Sequence, residues 1–128
     1  VNLADVAALV SAGLDGAGID DVPVVDPGTP VAAMPCVVLA PAGLELGDGN
    51  HTLRLQLDVT PMVPRNNQAD QFPRLFAMTA AVIQGLIPSQ VRFEGDIVFA
   101  VTGGDGTGEP PAMSFVIPTS FTSDVNLP

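Results

Sequence analysis

Residues Thr52 to Thr60 alternate without a break: Leu53, Leu55, Leu57 and Val59 interleave with Arg54, Gln56, Asp58 and Thr60. On a helix those four aliphatic side chains would scatter around the cylinder. On a strand, whose side chains point to opposite faces in turn, they make one apolar face. The segment is therefore read as a half-buried strand, which needs a sheet beside it and a cover over its apolar side. A second segment supplies the cover. From Asp70 to Leu86, the residues Phe72, Leu75, Phe76, Thr79, Val82, Ile83 and Leu86 recur at helical spacing. Asp70 is placed as the N-cap, Pro73 falls in the first turn where a missing N–H costs nothing, and Pro88 closes the element. The row Leu53/Leu55/Leu57/Val59 and the stripe Leu75/Phe76/Val82/Ile83 are predicted to pack on each other as the core.

The rest of the chain is divided by its 13 Pro and 13 Gly. A first helix is predicted over Leu3–Leu14, with Asn2 as N-cap and Leu3, Val6, Ala7, Val10 and Leu14 in register; Gly13 and Gly16 stop it. An irregular Pro- and Gly-rich crossing follows to Pro35, with a short strand at Val22–Val25. Pro35–Ala40 reads as a strand buried on both faces. Residues 41–50 read as a loop carrying Gly43 and ending in the Asp48-Gly49-Asn50 turn. Pro61 and Pro64 end or distort the alternating strand, and Arg65–Ala69 is a polar connection. Val91–Val101 reads as a long strand bulged at Gly95. Residues 102–111 form a Gly-rich acidic loop with Gly104 and Gly106, expected to be mobile in a free subunit and ordered in an assembly. Ala112–Phe121 returns as a strand, and residues 122–128 form a frayed polar tail. The expectation is a single α+β domain over 1–128: a mostly antiparallel sheet of about four strands on two helices, in the order helix, strand, strand, helix, strand, strand.

Charge narrows the partners. Fourteen Asp and Glu face four Arg, with no Lys, for a formal net charge of −10. A protein that grips a duplex neutralises phosphates with cations, and four are too few. An acidic wall past which DNA slides is a different matter, since it repels phosphate evenly. Apolar residues make up 47% of the chain, but no run approaches the roughly 18 residues of a membrane span, so no membrane partner is expected. The apolar surplus is assigned to a core and to subunit interfaces. No charged-then-apolar leader opens the sequence, so no secretory signal is expected. The lone Cys36 lies in an apolar run and is read as a small buried hydrophobe, consistent with a reducing compartment.

The search for chemistry returns no catalytic, metal or cofactor site. Gly103–Gly108 lacks the Lys of a phosphate-binding loop, and Asp105 and Glu109 would repel a phosphate. His51 is the only histidine, without the companions a zinc site needs. A serine triad would require His51 with Ser89 or Ser114, yet no Gly-x-Ser-x-Gly turn is present. Asp48 and Asn50 supply too few oxygens for calcium. Glu94 and Asp96 share a strand face with Arg92, and that face is read as solvated or partner-facing in preference to a catalytic dyad.

The layout resembles the tail terminator proteins of long-tailed (siphovirus-type) bacteriophages. It does so in the opening helix Leu3–Leu14, the Pro-rich approach to Met34-Pro-Cys-Val-Val-Leu-Ala-Pro41, the alternating strand Thr52–Val63, the helix Asp70–Leu86 and a last strand starting near Pro111-Ala112-Met-Ser-Phe115. Members of that family often carry Tyr or Trp in the last strands, and this chain has neither. The resemblance implies a virion protein assembled in the host cytoplasm and placed at the head–tail junction. It implies a homo-oligomeric ring, usually of six copies, that caps the tail tube and docks to the head-side connector. It implies no substrate and no cofactor, and DNA passing through the lumen without specific binding. Glu94, Asp96, Asp105 and Glu109 are the candidate lumen or rim acids, and Gly43, Asp48, Asn50, Gly104 and Gly106 mark candidate assembly loops. The alternatives are a head-closure or tail-tube ring protein, or, in another class, a small ligand-binding or enzymatic domain.

Overall fold

The alternating segment is the central strand of the sheet. In a computed structural model that describes residues 3–19, 21–28, 34–46, 52–65, 70–103 and 111–124, the elements run α1 (Leu3–Gly16), β1 (Val24–Val25), β2 (Cys36–Leu46), β3 (Thr52–Pro64), α2 (Gln71–Leu86), β4 (Arg92–Phe93), β5 (Val98–Thr102) and β6 (Ala112–Asp124). The architecture is α+β, with one six-stranded sheet in the order β1-β2-β3-β6-β4 and β5 also on β6. The expected sheet of about four antiparallel strands is corrected in two ways. The sheet is mixed, because β1 pairs parallel with β2 through Val24–Val37 and Val25–Val38. And the predicted strand Val91–Val101 is two short strands on β6, β4 opposite Thr119 and Ser120 and β5 opposite 112–116.

Both helices lie on the face of the sheet to which Leu57, Val59, Ile117 and Phe121 point, and Val6, Val10, Leu14, Leu75, Met78, Val82 and Leu86 complete the core. Leu57, Val59, Leu75 and Val82 are fully buried, as the two matched periodicities require. Leu55 and Ile83 pack on the core while partly exposed, and Leu53 is half-buried. Phe76 is a correction: it is 64% exposed. Two apolar stripes run side by side on α2. Leu75, Val82 and Leu86 are fully buried in the core, whereas Phe72, Phe76 and Ile83 lie on the flank toward β5.

Four local readings also change. Gly13 does not stop α1, which ends in a Schellman turn: Gly18 at φ 77°, Ile19 N–H bonded to Leu14 O and Gly18 N–H to Asp15 O. Asp70 precedes α2 but its side chain makes no cap bond. Residues 41–46, expected as loop, continue β2; Pro41 is accommodated by a register shift between Pro41 and Gly43. Pro61 leaves β3 intact, although the β3–β6 register skips Thr60 and Pro61, where an N–H is missing. At the other end β6 stays paired to Asp124 opposite Thr52, beyond the expected start of a frayed tail at Thr122. Asn2, Asp48, Asn50, His51, Gly104, Gly106, Asp105 and Glu109 lie outside the described residues.

Candidate functional site

Two features could engage a partner, one on each face of the sheet. On the face away from the helices, strand pairing sets Arg54 of β3 opposite Glu45 of β2 and Thr122 of β6, and sets Ser120 of β6 opposite Gln56 and Arg92. The Arg54 guanidinium reaches across β6 to the Glu94 carboxylate just past β4, and donates to Ser120 Oγ at 3.3 Å. Ser120 in turn donates to the same Glu94 oxygen. Glu45 adds a looser contact to Arg54 at 3.8 Å and accepts from Gln56 at 3.2 Å. The hydroxyl of Ser120 and the Arg54 guanidinium together hold Glu94 below the usual carboxylate range.

This arrangement changes the reading of the candidate acids. Glu94 is partnered within the subunit, so its charge is largely offset; Asp96 is exposed. The Glu94 carboxylate is held by a cation and a hydroxyl, the opposite of the raised pKa a shared-proton carboxylate dyad would show. Gly43 sits in β2 at the register shift, close against Gln56. Cys36 is fully buried, and burial pushes its thiol up, away from the reactive thiolate. Among the described residues, no three His, Cys, Asp or Glu side chains gather where they could hold a metal ion, and no helix is long and apolar enough to cross a membrane.

On the helix face, an open groove of about 240 Å³ runs between α2 and the β4–β5 edge, lined by Phe76, Thr79, Ala80, Ile83, Ile97 and Phe115. Phe72, Phe99 and Phe115 form a triangle of edge-on rings with centroids 5.4 to 6.1 Å apart, which ties α2 to β5 and β6. The single polar side chain of the lining, Thr79, donates its hydroxyl to Leu75 O within the helix. Phe72, Phe76, Ile97, Phe99 and Val101 are all at least 40% exposed, an apolar band on one edge of the sheet. At the opposite edge the outer half of β2 exposes Leu44 and Leu46, at 61% and 67%.

Neither apolar edge is legible in the sequence. Leu44-Glu45-Leu46 does alternate as a strand would, but Pro41 and Gly43 mask the signal. The Arg54–Glu94–Ser120 set joins residues 40 and 26 positions apart, which only topology brings together. Against known families and curated proteins, the chain matches no family model and no curated protein.

Proposed function

We propose that this chain is a non-enzymatic structural subunit that assembles with copies of itself into a closed ring, and that the ring is the tail terminator of a long-tailed bacteriophage. One observation carries the assembly reading: opposite edges of one sheet both expose apolar side chains, Leu44 and Leu46 on β2 and the Phe72–Phe76–Ile97–Phe99 band around β5. A ring repeats a head-to-tail contact, so each subunit needs two different surfaces that fit each other. The two edges are such a pair. Ten net negative charges per subunit disfavour contacts that set like charges together, and both edges expose apolar side chains.

The tail-terminator reading rests on the layout of the sequence and the resemblance that goes with it. The ring would stop tube growth and then present a docking surface, a mechanical task. Carboxylates such as Asp96, left off the apolar contacts, would give the lumen and rims a negative wall that DNA passes without sticking.

Electron microscopy of the purified protein tests this. Discrete rings with a central hole that do not stack into tubes are the expected image. Extended tubes would favour the tube-subunit alternative, and particles the size of a single chain would contradict ring assembly. A ligand-binding reading would use the groove beside Phe76. That groove is open, smaller than the ~300–1,000 Å³ usual for ligand sites, and its one hydroxyl is already engaged. An apolar face for another protein fits it better.

A further inference from the structure

We propose that the sheet continues from one copy to the next, with the outer limb of β2, Gly43–Leu46, lying antiparallel along β4 of the neighbour so that Glu45 of one copy meets Arg92 of the next. The proposal rests on the self-assembly reading and specifies the surfaces that mate.

Three features of the sheet lead to it. The first is free edge. Among the described residues, β1 covers β2 only at Val37 and Val38, so the limb beyond them has no outer strand. Among the described residues, β4 is paired only on its β6 side. Unpaired backbone edges of this kind are templates for strand addition.

The second is direction and height. β2 and β6 each run antiparallel to β3, and β4 runs antiparallel to β6, so β2 and β4 point in opposite senses. A neighbour added without turning over therefore meets β4 antiparallel. Glu45 stands in the row of Arg54 and Thr122, and Arg92 in the row of Ser120. Those rows are two residues apart on β6, or about 7 Å at strand rise. The two limbs are thus nearly level on opposite edges of the same sheet.

The third is chemistry on both faces. Glu45 and Arg92 both lie on the face away from the helices, while Leu44 and Phe93 lie on the helix face. Pairing Glu45 with Arg92 in antiparallel register sets Leu44 opposite Phe93. One register therefore joins an acid to a base on one face and two exposed apolar side chains on the other. Leu44 is 61% and Phe93 41% exposed in the subunit. Slipping by one residue would set leucine against arginine and break both matches. Arg92 has no salt bridge within the described part of the subunit, although its charge helps to hold Glu94 ionised, and Glu45 accepts from Gln56 and reaches Arg54 only at 3.8 Å.

Disulfide trapping tests the register. Directly opposed residues in an antiparallel pair have Cα atoms about 4.5–5.5 Å apart, within disulfide range. The double variant Leu44→Cys/Phe93→Cys, oxidised mildly, is expected to give a covalent ladder of chains on a denaturing gel, and either single variant to give none. Buried Cys36 is the built-in control. In parallel, Glu45→Arg or Arg92→Glu alone is expected to raise the concentration for half-assembly about tenfold, because like charges then face each other. The combined reversal is expected to restore it. An oligomer by light scattering with no ladder and no effect of charge reversal would overturn this interface while leaving self-assembly standing. A chain that stays monomeric at all concentrations would overturn both.

Discussion

Gly13 of α1 and Gly85 of α2 meet where the helices cross. A Cβ on Gly13 would stand 2.4 Å from the Ala81 carbonyl oxygen, and a Cβ on Gly85 would stand 2.4 Å from that of Leu9. Both glycines are there so that two backbones can touch. In an open helix position glycine to alanine gains about 0.5–1 kcal/mol. Here the added methyl would meet backbone, which cannot swing aside, so Gly13→Ala and Gly85→Ala are each expected to destabilise by about 1–3 kcal/mol. Gly16, with nothing within 4 Å of its would-be Cβ, is the control: Gly16→Ala should be neutral or stabilising. Urea unfolding of the three variants checks this, and a stabilised Gly13→Ala would show that the helices do not cross so closely.

Leu57 and Phe76 separate core from surface. Leu57 is fully buried beneath α2, and Leu57→Ala should cost about 2–5 kcal/mol in transfer and cavity terms. Phe76 is 64% exposed at the groove, so Phe76→Ala should change subunit stability by no more than about 0.5 kcal/mol. Chemical denaturation at concentrations where the protein is a monomer distinguishes the two. Equal losses would place Phe76 back in the core.

The same pair shows what the sequence could and could not say. Period-2 alternation located β3 and its buried side chains, because a half-buried strand has only two faces to choose between. A helix has a continuous circumference. On α2 the apolar arc is wide enough for two stripes, and spacing alone does not tell which one meets the sheet, so it puts Phe76 inside with Leu75. Glycine and proline misled for a related reason. Gly13 marks a close approach between helices distant in the chain, and Pro41 sits at a register shift that lets β2 run on to Leu46. In each case the deciding neighbour is remote in sequence. The same holds for the candidate acids: Glu94 stands out in the sequence for its charge, but Arg54, which offsets that charge, is 40 positions away.

Glu94 should leave a signature in the acid limb of the stability curve. Its folded pKa is depressed, first by the Ser120 hydroxyl and then by Arg54. A carboxylate of this kind contributes stability that is fully present above its unfolded pKa of about 4.3 and is lost as pH falls through the lower folded value. Glu94→Gln removes that contribution. Wild type should therefore exceed the variant in thermal stability near neutral pH, and the gap should close as the pH drops below about 4. A gap that stays constant down to pH 2 would mean the carboxylate charge is not what matters. High salt should also narrow the gap, because the pair is partly exposed.

Phe76→Asp should act on assembly without touching the fold. It places an acid in an apolar groove, on a chain already carrying ten excess negative charges. The melting temperature of the dilute subunit is expected to be unchanged, while the oligomer dissociates at concentrations where wild type remains assembled. Loss of fold and loss of assembly together would show the groove to be part of the core.

Everything in the functional account depends on the chain finding copies of itself, and light scattering of the wild-type protein over a wide concentration range measures that directly. The expected result is one species with a mass several times the 13.1 kDa of a single chain, a fixed whole-number multiple that does not grow further on concentration, as ring closure demands. A mass of one chain at every concentration would contradict the account, and so would a mass that climbs without limit.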